Sequence, residues 1–380
     1  MDPQNPSTLP EHSLAPTAQS VEVPQAVQPA EGFLVRVFIG PSGLRAGWSI
    51  LIFALLMIPF TALIGALFSR AGHFDHKQGF TPVAAFIGEL APFIGMLAAA
   101  AIVAVIERRR LLDYNLTDAQ GFRHFLSGLA AGFLALSALV GALASGGWLH
   151  FGPVALSGTA ILRYAAIWGA AFLLVGCVEE GTFRCYFQFT LTRGINFWAA
   201  IVILGAVCGE LFLRAKGNGV WGVYLMVLLG IVPCYILHQR KAANASFWTA
   251  AWVSSTLFGF VHTGNNGENW IGIFAASAIG FVFCASIHFT GSAWWAIGCH
   301  AAWDWSETFF YGTADSGLPA KGHYLTTIPS GNPLWSGGTD GPEGSLLVLG
   351  IVLALFIALI VIYGRSRKPA FAPAVEPAAF

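Results

Sequence analysis

The chain has 380 residues, of which 56% are hydrophobic and only 10% are charged, with 19 basic and 19 acidic side chains. Soluble domains carry about 25% charged residues, so this composition excludes an ordinary soluble domain and indicates a membrane protein. The zero net charge gives no argument for nucleic-acid binding by bulk electrostatics. Thirteen Trp and 31 Phe residues fit a chain with aromatic side chains at the membrane surfaces.

The first 32 residues are rich in Pro, Gln, Ser and Ala without apolar periodicity, which predicts a disordered tail. They lack the basic start and apolar centre of a signal peptide. Gly40-Pro41-Ser42-Gly43 matches the GxSG pattern of rhomboid-type serine proteases, but it precedes the first span, so we interpret it as a turn. The six cysteines lie in or beside apolar runs without a CxxC pattern, which predicts buried thiols instead of disulfides or a zinc knuckle.

Apolar runs of spanning length follow the tail and predict an all-α fold, a polytopic integral membrane helix bundle with about 8–10 transmembrane helices. We place the runs at about Trp48–Phe68, Thr81–Ile106, Phe122–Ala144, Ile161–Phe189, Phe197–Leu213, Val220–Leu237, Phe247–His262, Trp270–Phe289, Ser292–Phe310 and Ser345–Tyr363. Basic clusters follow the second, sixth and last runs. The positive-inside rule therefore predicts cytoplasmic termini, and we expect a bacterial inner-membrane location.

Charged side chains inside the fourth run are the first candidate for function. Glu179 and Glu180 are adjacent, and Arg184 follows. On a helix Glu180 and Arg184 share a face and suit an ion pair, while Glu179 points about 100° away. Charges at membrane depth are usually paired and functional. The alternative is an anchoring cluster beside the membrane with no further role.

Two other runs carry histidines one helical turn from a possible partner. Phe258 and His262 end the seventh run, where a lone histidine is also a common polar anchor. His300 and Asp304 lie within the ninth run, and Asp304 could fix the tautomer of His300 by accepting a hydrogen bond. Glu210 is a further intramembrane acid without an obvious partner, which we interpret as structural or lumen-facing.

The three motifs EExxxR, FxxxH and HxxxN or HxxxD, in this order on separate apolar helices, resemble the CPBP family of intramembrane proteases. This family is also called the CAAX protease or Abi family. The resemblance covers roughly residues 161–310. It implies a helical bundle with a polar cavity that hydrolyses a peptide bond at membrane depth.

The resemblance also implies roles for individual residues. Glu179 and His262 would hold and activate a water molecule, and His300 and Asp304 would stabilise the oxyanion. Three further side chains would support these four: Glu180, Arg184 and Phe258. Two histidines and a carboxylate are also a catalytic zinc set, so Glu179, His262 and His300 would be the ligands if a metal is used. Zinc and a metal-free water are therefore both open.

Three features depart from the family pattern. Position 304 is Asp where the family often has Asn, so Asp304 must be protonated, orient His300 or bind a metal. About 80 residues separate Glu179 from His262, which predicts an inserted hairpin at 195–240. A strict ten-span count also places Glu179 and His262 at opposite membrane surfaces. They can meet only if a helix is short, tilted or broken.

The sequence thus predicts an intramembrane endopeptidase that acts on a peptide or membrane-protein substrate in the lipid bilayer. A transporter or channel that relays protons through the same acids and histidines is one alternative. A non-catalytic scaffold or immunity-type membrane protein is the other. The predicted divisions are a tail (1–32), N-terminal transmembrane helices (33–160), the catalytic core (161–310), a non-cytoplasmic loop (311–344), a last transmembrane helix (345–364) and a C-terminal tail (365–380).

Overall fold

The computed structural model describes residues 32–40, 43–70, 80–215, 220–242, 244–265, 267–317 and 321–364. The predicted N-terminal tail up to residue 31, the middle of the turn at 40–43 and the C-terminal tail lie outside these residues. A short helix α1 (Phe33–Phe38) opens the described chain. Strands β1 (Ile39–Gly40) and β2 (Gly43–Leu44) then pair in antiparallel fashion.

Each of the ten predicted apolar runs is helical, which confirms the all-α membrane bundle. The helices are α2 (Ala46–Arg70), α3 (Pro82–Ile106), α4 (Gly121–Ser145), α5 (Thr159–Glu180), α6 (Gln188–Gly194), α7 (Phe197–Ala215), α8 (Val220–Gln239), α9 (Ala245–His262), α10 (Trp270–Thr290), α11 (Trp294–Trp305) and α13 (Leu347–Tyr363). Among the described residues, six helical stretches are long and apolar enough to cross a membrane. The six cysteines are free thiols and five of them are buried, as predicted.

Local sequence signals set several helix ends. Helix α3 begins with Pro82 after Thr81, whose Oγ1 accepts a hydrogen bond from the amide of Ala84 at 3.3 Å. Helix α10 begins after Asn269, whose Oδ1 accepts hydrogen bonds from the amides of Ile271 and Gly272. It ends at Gly291, which takes the left-handed conformation with φ 86° that favours glycine.

Helices α5 and α6 form one continuous helix because a π-helical segment, Gly181–Phe187, joins them. The combined helix Thr159–Gly194 has 36 residues and is about 54 Å long at 1.5 Å per residue. Two carbonyls of the π segment accept side-chain hydrogen bonds from other parts of the chain. The carbonyl of Phe183 accepts from Ser254 Oγ at 2.9 Å, and that of Arg184 accepts from Asn115 Nδ2 at 2.8 Å. Two distant segments thus satisfy this irregular turn.

Helix α11 is held between α4 and α5 by glycines that allow close backbone contact. A Cβ atom at Gly128 or Gly132 would collide with the carbonyl oxygen of Trp295 or Cys299. A Cβ atom at Gly176 on α5 would lie 3.1 Å from the carbonyl oxygen of Ile297. Small residues at such crossings let membrane helices approach closely. The position of α11 relative to α5 is therefore fixed by backbone contact.

The predicted loop at 311–344 contains secondary structure. Strand β3 (Leu149–Phe151) pairs antiparallel with β4 (Thr327–Pro329), so the segment is attached to the chain that follows α4. A short helix α12 (Pro333–Ser336) and a 3₁₀ turn (Pro342–Gly344) follow. Another π-helical segment, Ser306–Tyr311, continues α11 into this region. The π segments lie directly after Glu180 and Trp305, and such segments occur often at functional sites.

Candidate active site

The four residues predicted to act together line one cavity of about 240 Å³: Glu179, His262, His300 and Asp304. The ten-span count had placed Glu179 and His262 toward opposite sides of the membrane. Glu179 instead lies near the middle of the continuous helix Thr159–Gly194, while His262 ends α9. The π segment that extends this helix removes the conflict.

Glu180 and Arg184 form the ion pair that the sequence predicts. Arg184 Nε lies 3.1 Å from Glu180 Oε2, and both side chains are fully buried. The guanidinium also stacks over the ring of Phe258, with its carbon 4.0 Å from the ring centroid. Gly280 leaves room for it, since a Cβ atom there would lie 2.6 Å from Arg184 Nη2. The arginine is thus enclosed by an acid, an aromatic face and a glycine.

His300 connects this ion pair to the cavity. Its Nδ1 lies 2.8 Å from Glu180 Oε1, and an ionised carboxylate only accepts hydrogen bonds. Nδ1 therefore carries a proton, and Glu180 sets the tautomer and ring orientation. The sequence had suggested Asp304 for this role, but Asp304 Oδ2 lies 3.5 Å from the other nitrogen, Nε2. Glu179 Oε2 lies 3.8 Å from the same Nε2.

His262 is oriented by its own helix. Its Nδ1 lies 2.8 Å from the carbonyl oxygen of Phe258. Because a carbonyl only accepts, Nδ1 carries the proton, and Nε2 of the neutral ring is left as an acceptor. The rings of Phe258 and His262 have centroids 4.7 Å apart. Phe258 therefore orients His262 with its backbone and covers Arg184 with its ring.

Sequence reasoning missed several acids in the cavity wall. Glu89 on α3 lines the cavity together with Asp315 and Glu343. Glu89 is the one charged side chain in the α3 sequence, and a lone charge within a membrane span is a signal of function that could have identified it. Asp315 and Glu343 come from outside the apolar runs, where acids are common and carry no such signal.

The predicted zinc ligands do not converge as they stand. Among the residues that the structure describes, one group of three His, Cys, Asp or Glu side chains has ligand atoms within 4.8 Å of one another. That group is Glu307, Asp315 and Glu343, and it excludes the predicted set of Glu179, His262 and His300. At least one pair of ligand atoms in the predicted set is therefore more than 4.8 Å apart. The use of zinc stays a prediction.

Two acids outside the membrane spans, Glu268 and Asp340, lie beside Gly272 at one end of the cavity. Burial, followed by the charges of nearby Asp340 and Glu343, raises the pKa of Glu268 to about 9. Burial and the charge of Glu343 raise the pKa of Asp340 to about 7. Gly272 lies beneath both carboxylates, since a Cβ atom there would collide with Glu268 Oε1. These groups lie next to the cavity and hold protons near neutral pH.

Glu210 is separate from this site. It does not line the cavity, its side chain is 45% exposed, and it pairs with Arg214 at 2.8 Å. The sequence offered no obvious partner for Glu210, but Arg214 lies one helical turn away on the same helix. The inserted hairpin corresponds to α7 and α8, which pack against α9. Its status as an insertion stays a prediction.

Comparison with known families identifies a match for part of the chain. Residues 234–306 match the family model described as type II CAAX prenyl endopeptidase Rce1-like. This confirms the resemblance to the CAAX protease family for the segment that carries Phe258, His262, His300 and Asp304. The match does not extend to Glu179 and Glu180, which join the site through their contacts with His300. No curated protein and no solved structure matches the chain significantly.

Proposed function

We propose that this protein is an intramembrane endopeptidase of the CAAX protease type in which Glu179 and His262 activate a water molecule. The observation that carries the proposal is the position of His300 between Glu180 at 2.8 Å and Glu179 at 3.8 Å. This contact unites motifs 120 residues apart in the sequence at one cavity. The family match over residues 234–306 supports the same reaction class.

The proposed reaction begins with a water held between the Glu179 carboxylate and Nε2 of His262. Glu179 takes a proton from the water while the water oxygen forms a bond to the carbonyl carbon of the peptide. The carbon–nitrogen bond then breaks, and the leaving amine takes the proton from Glu179. Both products are thus formed without any further reactant. A positioned carboxylate within reach of the water suits this role.

His300 and Asp304 are proposed to stabilise the oxyanion. Nδ1–H of His300 is already committed to Glu180, so His300 donates to the oxyanion through Nε2 only when both nitrogens are protonated. Asp304 likewise donates only as the neutral acid. Donors fixed before the reaction are worth more in such a site than in water. Glu180 and Arg184 act as positioning residues for His300.

The test compares new peptide N-termini in membranes from cells that produce wild type, Glu179→Gln or Glu210→Gln protein at matched abundance. Glu210 is the control because it is also a helical acid but lies outside the cavity. We expect a set of N-termini within apolar segments that Glu179→Gln abolishes and Glu210→Gln retains. Identical N-termini in wild type and Glu179→Gln would refute the proposal. Loss of ion flux with unchanged peptides would instead indicate a transporter.

The substrate class needs a second measurement with purified protein. A peptide with a prenylated C-terminal cysteine and the same peptide without the prenyl group are incubated with wild type and Glu179→Gln. Cleavage of the prenylated peptide alone would assign prenyl-dependent processing to this chain. Cleavage of both would show that the prenyl group is not recognised. Glu179→Gln is expected to cleave neither.

A further inference from the structure

A second polar cluster lies beyond the candidate catalytic residues, where α11 ends. It consists of Glu307 in the π segment, Asp315 in the chain after it, and Glu343 in the turn before α13. One carboxylate oxygen from each residue lies within 4.8 Å of the others. Like charges at this spacing repel each other, so the arrangement needs an explanation.

Glu307 provides the observation that points to a ligand. Its side chain is fully buried, and neither carboxylate oxygen has a hydrogen-bond partner. Buried polar atoms are nearly always satisfied in folded proteins, and the exceptions call for an unseen water or ion. Asp340, three residues before Glu343, is also fully buried and has an unpartnered Oδ1. Within the described part of the chain, no hydrogen-bond donor therefore reaches these three oxygens.

The other two carboxylates are held in place by donors that leave their remaining lone pairs available. Thr308 Oγ1 donates to Asp315 Oδ2 at 2.8 Å. Trp303 Nε1 donates to Glu343 Oε1 at 2.7 Å, and Ser316 Oγ donates to Glu343 Oε2 at 3.2 Å. Hydrogen bonds of this kind orient the ligands of metal sites. The three acids are thus arranged for a shared cation.

We propose that Glu307, Asp315 and Glu343 bind a calcium ion. An all-oxygen set of three carboxylates suits a hard cation and not zinc, which prefers nitrogen and sulfur. The three oxygens lie within 4.8 Å of one another, close enough to contact one cation. Calcium accepts irregular sets of six to eight oxygens, whereas Mg²⁺ demands near-ideal octahedral geometry and is seldom held by an all-protein cage. Waters complete the coordination.

The ion would have a positioning role. Asp315, Ser316 and Glu343 also line the cavity that contains Glu179 and His300. A bound ion would tie the end of α11 to the chain that closes the cavity. If the proposed protease function holds, a chelator would then slow cleavage even though no metal takes part in the chemistry.

The site is tested by Tb³⁺ luminescence on the purified full chain, after chelator treatment and desalting. Tb³⁺ replaces Ca²⁺ at oxygen sites, and its emission is sensitised by a nearby indole. Trp303 supplies that indole, since its nitrogen lies 2.7 Å from Glu343. We expect saturable emission that Ca²⁺ displaces. Displacement by Mg²⁺ as readily as by Ca²⁺, or the absence of saturable emission, would overturn the proposal.

Matched variants distinguish a loss of calcium binding from misfolding and from a loss of catalysis. Glu307→Gln should raise the Kd for Ca²⁺ about tenfold or more, and its melting temperature in chelator should be no lower than that of wild type. Calcium should raise the melting temperature of wild type and of Glu210→Gln but not of Glu307→Gln. Glu179→Gln should bind calcium as wild type does, so failure of the protease proposal leaves this one intact. An equal rise in melting temperature with calcium in wild type and Glu307→Gln would refute the calcium-site proposal.

Discussion

Replacing Arg184 by methionine tests how the buried ion pair contributes to stability. The chain offers two acid–arginine pairs with the same spacing of four residues on a helix. Glu180 and Arg184 are both 0% exposed, whereas Glu210 and Arg214 are 45% and 54% exposed. Their N···O distances are similar, at 3.1 Å and 2.8 Å. The two pairs therefore differ mainly in solvent access.

The expected losses in free energy of unfolding differ about tenfold between the buried and the exposed pair. Removing one member of a buried pair leaves an uncompensated charge and lowers the free energy of unfolding by about 3–5 kcal/mol. Exposed pairs on helices contribute about 0.3–0.5 kcal/mol because water and salt screen them. Arg184→Met also loses the contact with the Phe258 ring. Arg214→Met serves as the matched control.

The measurement is reversible unfolding of purified variants in mild detergent at one pH and salt concentration. Arg184→Met should be strongly destabilised, and Glu180→Gln combined with Arg184→Met should recover more than half of the loss. The recovery is expected because the neutral amide introduced by Glu180→Gln leaves no unpaired charge, and its oxygen still accepts from His300 Nδ1. Equal losses for Arg184→Met and Arg214→Met would refute the reasoning. The absence of recovery in the double variant would show that lost packing, not charge, dominates.

Two further predictions concern Asp304 and Glu268. Asp304→Asn should retain peptide cleavage because Asn donates to an oxyanion at any pH, and its turnover should match wild type in calcium-containing buffer. Lost turnover that high zinc restores would instead favour a metalloprotease. In chelator, the melting temperature of wild type should fall as pH rises from about 4.5 to 9. Burial raises the pKa of Glu268 to about 9, so the folded state holds a proton there that the unfolded chain has released. Glu268→Gln should flatten this dependence; an unchanged slope would contradict it.

The helices could be predicted from the sequence because each apolar run is long enough to dictate its own structure. The π segments could not, since hydropathy is the same for α and π turns. Ser254 and Asn115, which donate hydrogen bonds to carbonyls of the segment Gly181–Phe187, come from distant parts of the chain. The sequence therefore did not reveal that Glu179 lies near the middle of one continuous helix of 36 residues.

The candidate site shows the same division. Pairs one helical turn apart, such as Glu180 with Arg184, follow from helical geometry alone. The contact between Glu180 and His300 spans 120 residues and depends on how α5 packs against α11. Gly176 on α5 permits that packing, but no local rule states which helix it meets. The sequence therefore suggested Asp304 as the group that fixes the tautomer of His300, whereas Glu180 makes that contact.

The length of the helix Thr159–Gly194 bears on what a cleaved substrate becomes. With 36 residues the helix is about 54 Å long, which exceeds the hydrocarbon core of about 30 Å. At least one of its ends therefore projects beyond the lipid tails. Glu179 lies about 4 Å from the midpoint of this helix. If the proposed protease function holds and the helix is centred in the bilayer, a substrate that spans the bilayer would be cut near the middle of its anchor. Each product then retains about ten apolar residues, half of the 20 that a span requires. Proteolysis at this depth would release both fragments from the membrane instead of trimming one.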